Sequence, residues 1–166
     1  MNIVLSENAP KTTPEAFEYI NGIGTDASID DLKILCLVEA IGEELYAGMA
    51  RGTDNAKVSE LLMANGREEM LHAQRVSSAI EIMTGQPFPI PALADNPIYT
   101  PLPEMPVTAE ALGKLAEAEY AGNDLYARIA ASFDNAEARA LFDQNGREEI
   151  GHANRLAQAA ELLAGQ

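Results

Sequence analysis

A chain of 166 residues, nearly half of them apolar, is long enough for one domain with a buried core. Its net charge of −15 disfavours nucleic acid and anionic membrane, so neither is expected as a partner. A single cysteine, Cys36, excludes an intramolecular disulfide framework and any cysteine-paired zinc ribbon, and it fits a reducing, cytoplasmic compartment.

Residues 1–27 read as an N-terminal arm. Its start, MNIVLSENAPK, has no basic stretch leading into an apolar core, so no signal peptide is expected. No apolar run along the chain reaches bilayer-spanning length; Leu35 to Val38 is bracketed by Lys33 and Glu39. Within the arm, Thr13-Pro14-Glu15-Ala16 predicts one short helix, with Thr13 as its cap and Pro14 at its first position.

A long helix is predicted from the capping residue Ser28 to about Ala50. Apolar or small residues recur along it at helical spacing: Leu32, Leu35, Gly42, Tyr46 and Met49, with Glu39 in the same stripe. After a short loop, Asp54 is placed to cap a second helix. Its stripe runs through Val58, Leu61, Leu62, Asn65, Glu69, His72, Val76, Ala79, Ile80 and Met83, and Gly85 ends it. Asn65-Gly66 is a turn dipeptide, but the apolar phase is the same on both sides, so the helix is expected to continue through it. A glycine there costs about 1 kcal/mol against alanine. A close approach of the paired helix, with Gly42 and Gly122 on the facing surfaces, would offset that cost.

Residues 87–107 carry seven prolines and cannot form a long helix. About 20 residues of extended chain reach up to ~65 Å, whereas the long helices measure ~35–45 Å. The segment is therefore expected to cross the full length of a bundle, so that the next helix runs parallel to the one before.

Beyond this link the chain repeats itself. NGREEMLHAQR at 65–75 becomes NGREEIGHANR at 145–155, and segments 28–86 and 108–166 align without a gap, identical at 24 of 59 positions. Thr108 takes the place of Ser28 and opens a helix to about Ala130, with Leu112, Leu115, Glu119, Gly122, Tyr126 and Ile129 on its stripe. Asp134, with Glu137 in capping-box spacing, takes the place of Asp54. The last helix carries Ala138, Leu141, Phe142, Asn145, Glu149, His152, Leu156, Ala159 and Leu163, with Gly165 at its end. A unit of this size would struggle to bury its apolar face alone, so the two should pack on each other. The expected architecture is all-α: a four-helix bundle over 28–166, built of repeats 28–86 and 108–166 joined by the crossover 87–107.

Each of the four stripes carries a glutamate at mid-length: Glu39, Glu69, Glu119 and Glu149. A buried carboxylate needs a partner or it goes neutral. The chain's two histidines, His72 and His152, each stand three residues after one of these glutamates, on the same helical face. Height along antiparallel helices places Glu39 level with Glu69, and a pseudo-twofold axis brings all six side chains to one centre. Four carboxylates and two imidazoles suit two divalent first-row metal ions, iron or manganese, with zinc a further fit. Symmetry suggests Glu39 and His72 on one metal, Glu119 and His152 on the other, and Glu69 and Glu149 bridging. Glu43 lies one turn from Glu39, but Asn123 stands at its counterpart, so it reads as a solvated charge. Glu68 and Glu148, one turn before the histidines, are candidates to support an imidazole N–H. Cys36 reads as buried filler.

The pattern Glu39…Glu69-x-x-His72 and Glu119…Glu149-x-x-His152, on four helices with a long link between pairs, resembles the ferritin-like di-iron carboxylate superfamily, whose ligands follow this arrangement. Within it the chain is most similar to the rubrerythrin-like branch. The resemblance covers residues 28–166. Tyr46 and Tyr126, each seven residues after a helix glutamate, resemble tyrosines found near such sites; read without the resemblance, they are core aromatics with a bonded hydroxyl. Two departures stand out: the stretch from the helix glutamate to the E-x-x-H glutamate is short, and no rubredoxin-type cysteine module is present. The resemblance implies a di-iron oxidoreductase that reduces peroxide or O2 with electrons from an external donor, and a homodimer is expected. Iron handling, in which the same centre oxidises Fe²⁺, and a metal-stabilised domain without turnover are the alternative classes.

Overall fold

The computed structural model describes residues 3–103 and 105–165, and among them it is all-α. Five helices follow in order: α1 at Thr13–Asn21, α2 at Ile29–Arg51, α3 at Ala56–Thr84, α4 at Ala109–Ala131 and α5 at Ala136–Ala164, with one 3-10 turn at Leu93–Asp95 in the crossover. Met1 and Asn2, which open the segment read for a leader, and Gln166, the last residue of the second repeat, lie outside the described residues.

Ser28 caps α2 through a reciprocal capping box with Asp31, and Thr108 caps α4 by accepting from the Ala111 amide. Three expected caps are displaced by one residue. Asn55 and Asn135, not Asp54 and Asp134, cap α3 and α5; each amide oxygen accepts from the second and third amides of its helix. Asparagine caps as well as aspartate, so adjacent residues compete and the backbone chooses: the extended conformation falls at Asn55 and Asn135. At α1 the cap is Thr12 rather than Thr13. Thr13 is buried, and its hydroxyl is committed to the crossover, donating to the Thr100 carbonyl at 3.0 Å and accepting from the Thr100 amide at 2.9 Å. Gly85 takes the left-handed conformation after α3, with φ of 69°, whereas Gly165 after α5 does not, with φ of −88°.

The directions of the helices follow from hydrogen bonds across the bundle. Tyr46 of α2 reaches Glu119 of α4, and Tyr126 of α4 reaches Glu39 of α2, which makes those helices antiparallel. Asn65 of α3 donates to the His152 carbonyl, and Asn145 of α5 to the His72 carbonyl, so these two are antiparallel as well. Since α2 and α3 pair across a short loop, α4 runs parallel to α3, and the crossover must travel the bundle's length.

α3 is continuous through Asn65-Gly66. The surface that requires Gly66 is the α2 backbone: a Cβ there would stand 3.1 Å from Tyr46 Cβ and 3.2 Å from the Glu43 carbonyl oxygen. Gly42 does lie on the α2 face toward α3, as the sequence suggests, but opposite a side chain and not opposite Gly66. A Cβ on Gly42 would lie 2.7 Å from the Glu69 carboxylate, so this glycine makes room for a charged group rather than for a backbone.

α2 is buried on nearly every side, from Leu32 through Gly42 except Lys33. α3 covers one face. Further cover comes from the arm and crossover, with Ala16, Ile20, Ile23, Phe88 and Ile98 in the same core cluster, and from α4 through Leu125, Tyr126 and Ile129. Asn96, itself buried, ties the crossover down by donating to the Leu37 carbonyl at 3.0 Å. No helix among the described residues is long and apolar enough to cross a membrane.

Candidate metal centre

The four mid-length glutamates and both histidines meet at the bundle centre. His72 and His152 are fully buried, and their rings stack 5.0 Å apart with an interplanar angle of 16°. His72 Nδ1 lies 3.2 Å from Glu149 Oε1 and 3.6 Å from Glu39 Oε2. His152 Nδ1 lies 3.1 Å from Glu69 Oε1, 3.4 Å from Glu149 Oε2 and 3.7 Å from Glu119 Oε2. Glu39, Glu69 and Glu149 are buried; Glu119 is the most open of the four.

Donor atoms cluster in overlapping sets. Glu39, Glu69 and His72 offer atoms within 4.8 Å of one another, and so do Glu69, Glu119, Glu149 and His152. Glu69 belongs to both sets. Glu149 belongs to the second and also joins His72 with His152 in a third. Both Nδ1 atoms are buried without a hydrogen-bond partner, although carboxylates surround them. A buried polar atom left orphaned costs about 1–3 kcal/mol. Two such nitrogens aimed at shared carboxylates fit a pair of cations.

The electrostatics of the metal-free centre point the same way. Burial raises Glu69 well above the usual carboxylate range; the facing His152 imidazole opposes this, while the Glu39, Glu149 and Glu119 charges add to it. Glu149 is pushed up to about 7, again chiefly by burial. Burial would raise Glu39 too, but the facing His72 imidazole and its charge outweigh it and hold that carboxyl low. Glu119 is held low in the same way by His152, Glu149 and Tyr46. Burial works against a charged imidazole, yet the facing Glu149 and Glu39 carboxylates lift His72 to about 10. The facing Glu119, Glu149 and Glu69 carboxylates lift His152 to about 12. Without metal, protons take the place that cations would fill.

Both tyrosines touch the centre across the bundle. The Tyr126 hydroxyl donates to Glu39 at 2.7 Å, and Tyr46 donates to Glu119. Burial and then the neighbouring carboxylate charges push both phenols far above their ordinary value, so both remain donors. Glu43 is exposed and belongs to none of the donor sets found among the described residues. Cys36 is buried, its thiol 3.3 Å from the Ala73 carbonyl and its pKa raised by burial.

Glu148 and Glu68 each approach the imidazole on the opposite helix, and only Glu148 hydrogen-bonds it. His72 Nε2 is bonded to Glu148 Oε2 at 3.2 Å. His152 Nε2 lies 3.2 Å from Glu68 Oε2, at ion-pair distance but without hydrogen-bond geometry. Residue-by-residue reading passed over Asn65, Arg75, Asn145 and Arg155, which brace this crossing; their signal was the motif itself, N-G-R-E-E-x-x-H-A-x-R, written twice.

A cavity of about 190 Å³ opens onto the centre between α2 and α4. Glu39, Glu69, Glu119 and Glu149 line its floor, and Phe17 and Ile20 of α1 form part of its wall.

In comparison with known proteins, the family model described as Rubrerythrin matches residues 32–160, which is most of the chain and includes all six centre residues. No curated protein and no solved structure matches.

Proposed function

The chain belongs to the rubrerythrin family, and from that premise we propose that it is a non-haem di-iron oxidoreductase that reduces peroxide or O2 at the bundle centre. The observation that carries this reading is the pair of orphaned, buried Nδ1 atoms facing four shared carboxylates. Glu39 and His72 would hold one metal and Glu119 and His152 the other, with Glu69 and Glu149 placed to serve both. Membership of Glu69 in both donor sets supports that division. When bound, two reduced ions supply the two electrons that peroxide reduction requires. Iron is the proposed metal; the donor set also accepts manganese or zinc.

The chain's own residues do the rest. Four carboxylates would neutralise the charge of two divalent ions in a largely buried site that the cavity between α2 and α4 reaches. Tyr126 and Tyr46 donate to the terminal carboxylates and fix their orientation, each from the opposite helix pair. Asn145 donates to the Tyr126 hydroxyl at 3.0 Å and holds that phenol in turn. The cavity beside the carboxylates has room for a small molecule such as peroxide or O2. The reductant in this reading is an external electron donor.

The test is anaerobic. The protein is loaded with Fe²⁺, one equivalent of H2O2 is added, and ferric absorption is followed. Fast stoichiometric oxidation is expected, and His72→Ala or Glu149→Ala should abolish it and lower the metal content. A wild-type protein with iron bound that is not oxidised would leave a structural metal site as the better account.

A further inference from the structure

The N-terminal arm precedes the residues that the family model matches, yet it reaches the centre. The match begins at residue 32, whereas α1 lies at Thr13–Asn21. Nine residues are too few for a helix to persist alone in water, so its neighbours fix its place. At its start, the Thr13 amide donates to Thr100 Oγ1 at 3.1 Å and the Thr13 hydroxyl to the Thr100 carbonyl at 3.0 Å, which ties it to the crossover. Beyond its end, Arg128 Nε of α4 donates to the Ile23 carbonyl at 2.9 Å, and the Ala27 amide donates to Ser132 Oγ at 3.0 Å. The arm is therefore fastened to the crossover on one side of α1 and to the end of α4 on the other. Ala16 and Ile20 are buried, so this face of α1 is turned to the bundle.

α1 thereby lies beside the cavity that opens onto the centre. Phe17, Ile20 and Asn21 line that cavity, and among the described residues they are its only lining groups from outside the four bundle helices. Phe17 and Ile20, three residues apart, share a helical face. Ile20 belongs to the core, whereas Phe17 is half-buried, packed on the core and still reaching water. With Val38 and Leu45 of α2 and Leu115 and Leu125 of α4, they make an apolar wall beside the floor of carboxylates. The space of about 190 Å³ falls short of the ~300–1,000 Å³ of clefts that take drug-sized ligands.

We propose that Phe17, held in the cavity wall by α1, sets the upper size limit for what reaches the centre, so that a molecule as small as H2O2 or O2 enters and a peroxide bearing a bulky alkyl or aryl group is held out. The inference rests on the reading of the centre as a metal site that takes peroxide or O2, and adds to it the class of substrate excluded and the residue that excludes it. Its physical basis is steric. A ring on a helix fastened at both ends cannot swing aside with its backbone, and a ligand that needs the same space meets a clash rather than a weaker contact.

The test uses Co²⁺ as the metal and formate and benzoate as probes, with binding read from the visible absorption of Co²⁺, so no turnover is needed. The two anions share a donor group and a charge and differ in size. In the protein without substitutions, benzoate should bind at least about tenfold more weakly than formate, the scale on which a pocket discriminates by size. Phe17→Ala should tighten benzoate roughly tenfold and leave formate within about twofold. Phe17→Leu, a milder cut that guards against an alanine variant that does not fold, should give an intermediate gain. Glu18→Ala, on the exposed side of α1, should leave both affinities within about twofold. Benzoate bound as tightly as formate before any substitution would overturn the proposal. So would a gap between the probes that both Phe17 variants leave unchanged. A benzoate gain in Glu18→Ala equal to that in Phe17→Ala would mean general loosening of the arm and would also overturn it. If Co²⁺ is bound but formate leaves its spectrum unchanged, the cavity does not lead to the metals, and the proposal fails while the metal reading stands. If no Co²⁺ binds, the metal reading itself fails and this inference falls with it.

Discussion

The α2–α3 pair and the α4–α5 pair carry one motif in two different settings. α2 is enclosed: Ile34, Leu35, Cys36, Leu37 and Ile41 are all at or near zero exposure, with Cys36 against the Ala73 carbonyl of α3 and Leu37 tied to Asn96 of the crossover. α4 has no such cover. At the matching level Glu117, Ala118, Tyr120 and Ala121 are exposed, and the Tyr120 hydroxyl bonds to Asn154 at the surface. The two pairs agree where they face each other, at the centre and along the α3–α5 seam, and differ where they face outward. Residue identity between the pairs thus tracks shared surroundings: the centre imposes the same chemistry on both, and the outer faces meet different neighbours.

The largest effect that would break this comparison is a core truncation. Leu37→Ala should cost about 2–5 kcal/mol in chemical denaturation, whereas Glu117→Ala, at the matching position of α4, should stay within about 0.5 kcal/mol. Similar costs at the two positions would mean that the arm and crossover do not enclose α2 as described.

The second test concerns protons. The metal-free protein holds His72 at about 10, above its ordinary 6.5. The stability this contributes is present in full below pH 6.5 and is lost as pH rises through about 10. His152, lifted to about 12, acts in the same direction over a wider window. Thermal melts of the metal-free protein should therefore fall from neutral toward alkaline pH. The metal-loaded protein, in which cations replace those protons, should hold its melting temperature over the same range. Parallel curves with and without metal would contradict the account.

Gly42 and Gly122 sharpen the comparison at the centre. A Cβ at Gly42 meets the Glu69 carboxylate at 2.7 Å, and one at Gly122 meets Glu149 side-chain carbons at 3.2 Å. Gly42→Ala should destabilise by about 1–3 kcal/mol, Gly122→Ala by less. Gly113→Ala on α4, where nothing stands within 4 Å, should stabilise by up to about 1 kcal/mol. Denaturant midpoints of the three variants give the order directly. The smallest effect is expected at the phenols. Tyr126→Phe removes a donor to Glu39 and should cost about 0.5–1.5 kcal/mol while metal content is unchanged.

The centre was legible in the sequence because a carboxylate in an apolar stripe is costly, and four at matching positions call for a common explanation. Helix order, the continuity of α3 and the length of the crossover followed from periodicity and proline content. The enclosure of α2 did not, because its cover comes from the arm and crossover, whose packing leaves no periodic trace. The cap register at Asn55 and Asn135 was hidden by an adjacent aspartate of equal capping power. The crossed support of the histidines was out of reach for a different reason. Spacing on one helix shows which residues share a face, but the partner of Glu148 is set by how two helices lie against each other.

The most direct test of the central claim is an anomalous difference map at the iron edge from crystals of the iron-loaded protein. The account predicts two peaks at the bundle centre, one beside His72 Nδ1 and Glu39, the other beside His152 Nδ1 and Glu119, with Glu69 and Glu149 between them. An absence of peaks there in protein shown to contain iron, or coordination through Nε2 instead of Nδ1, would contradict it.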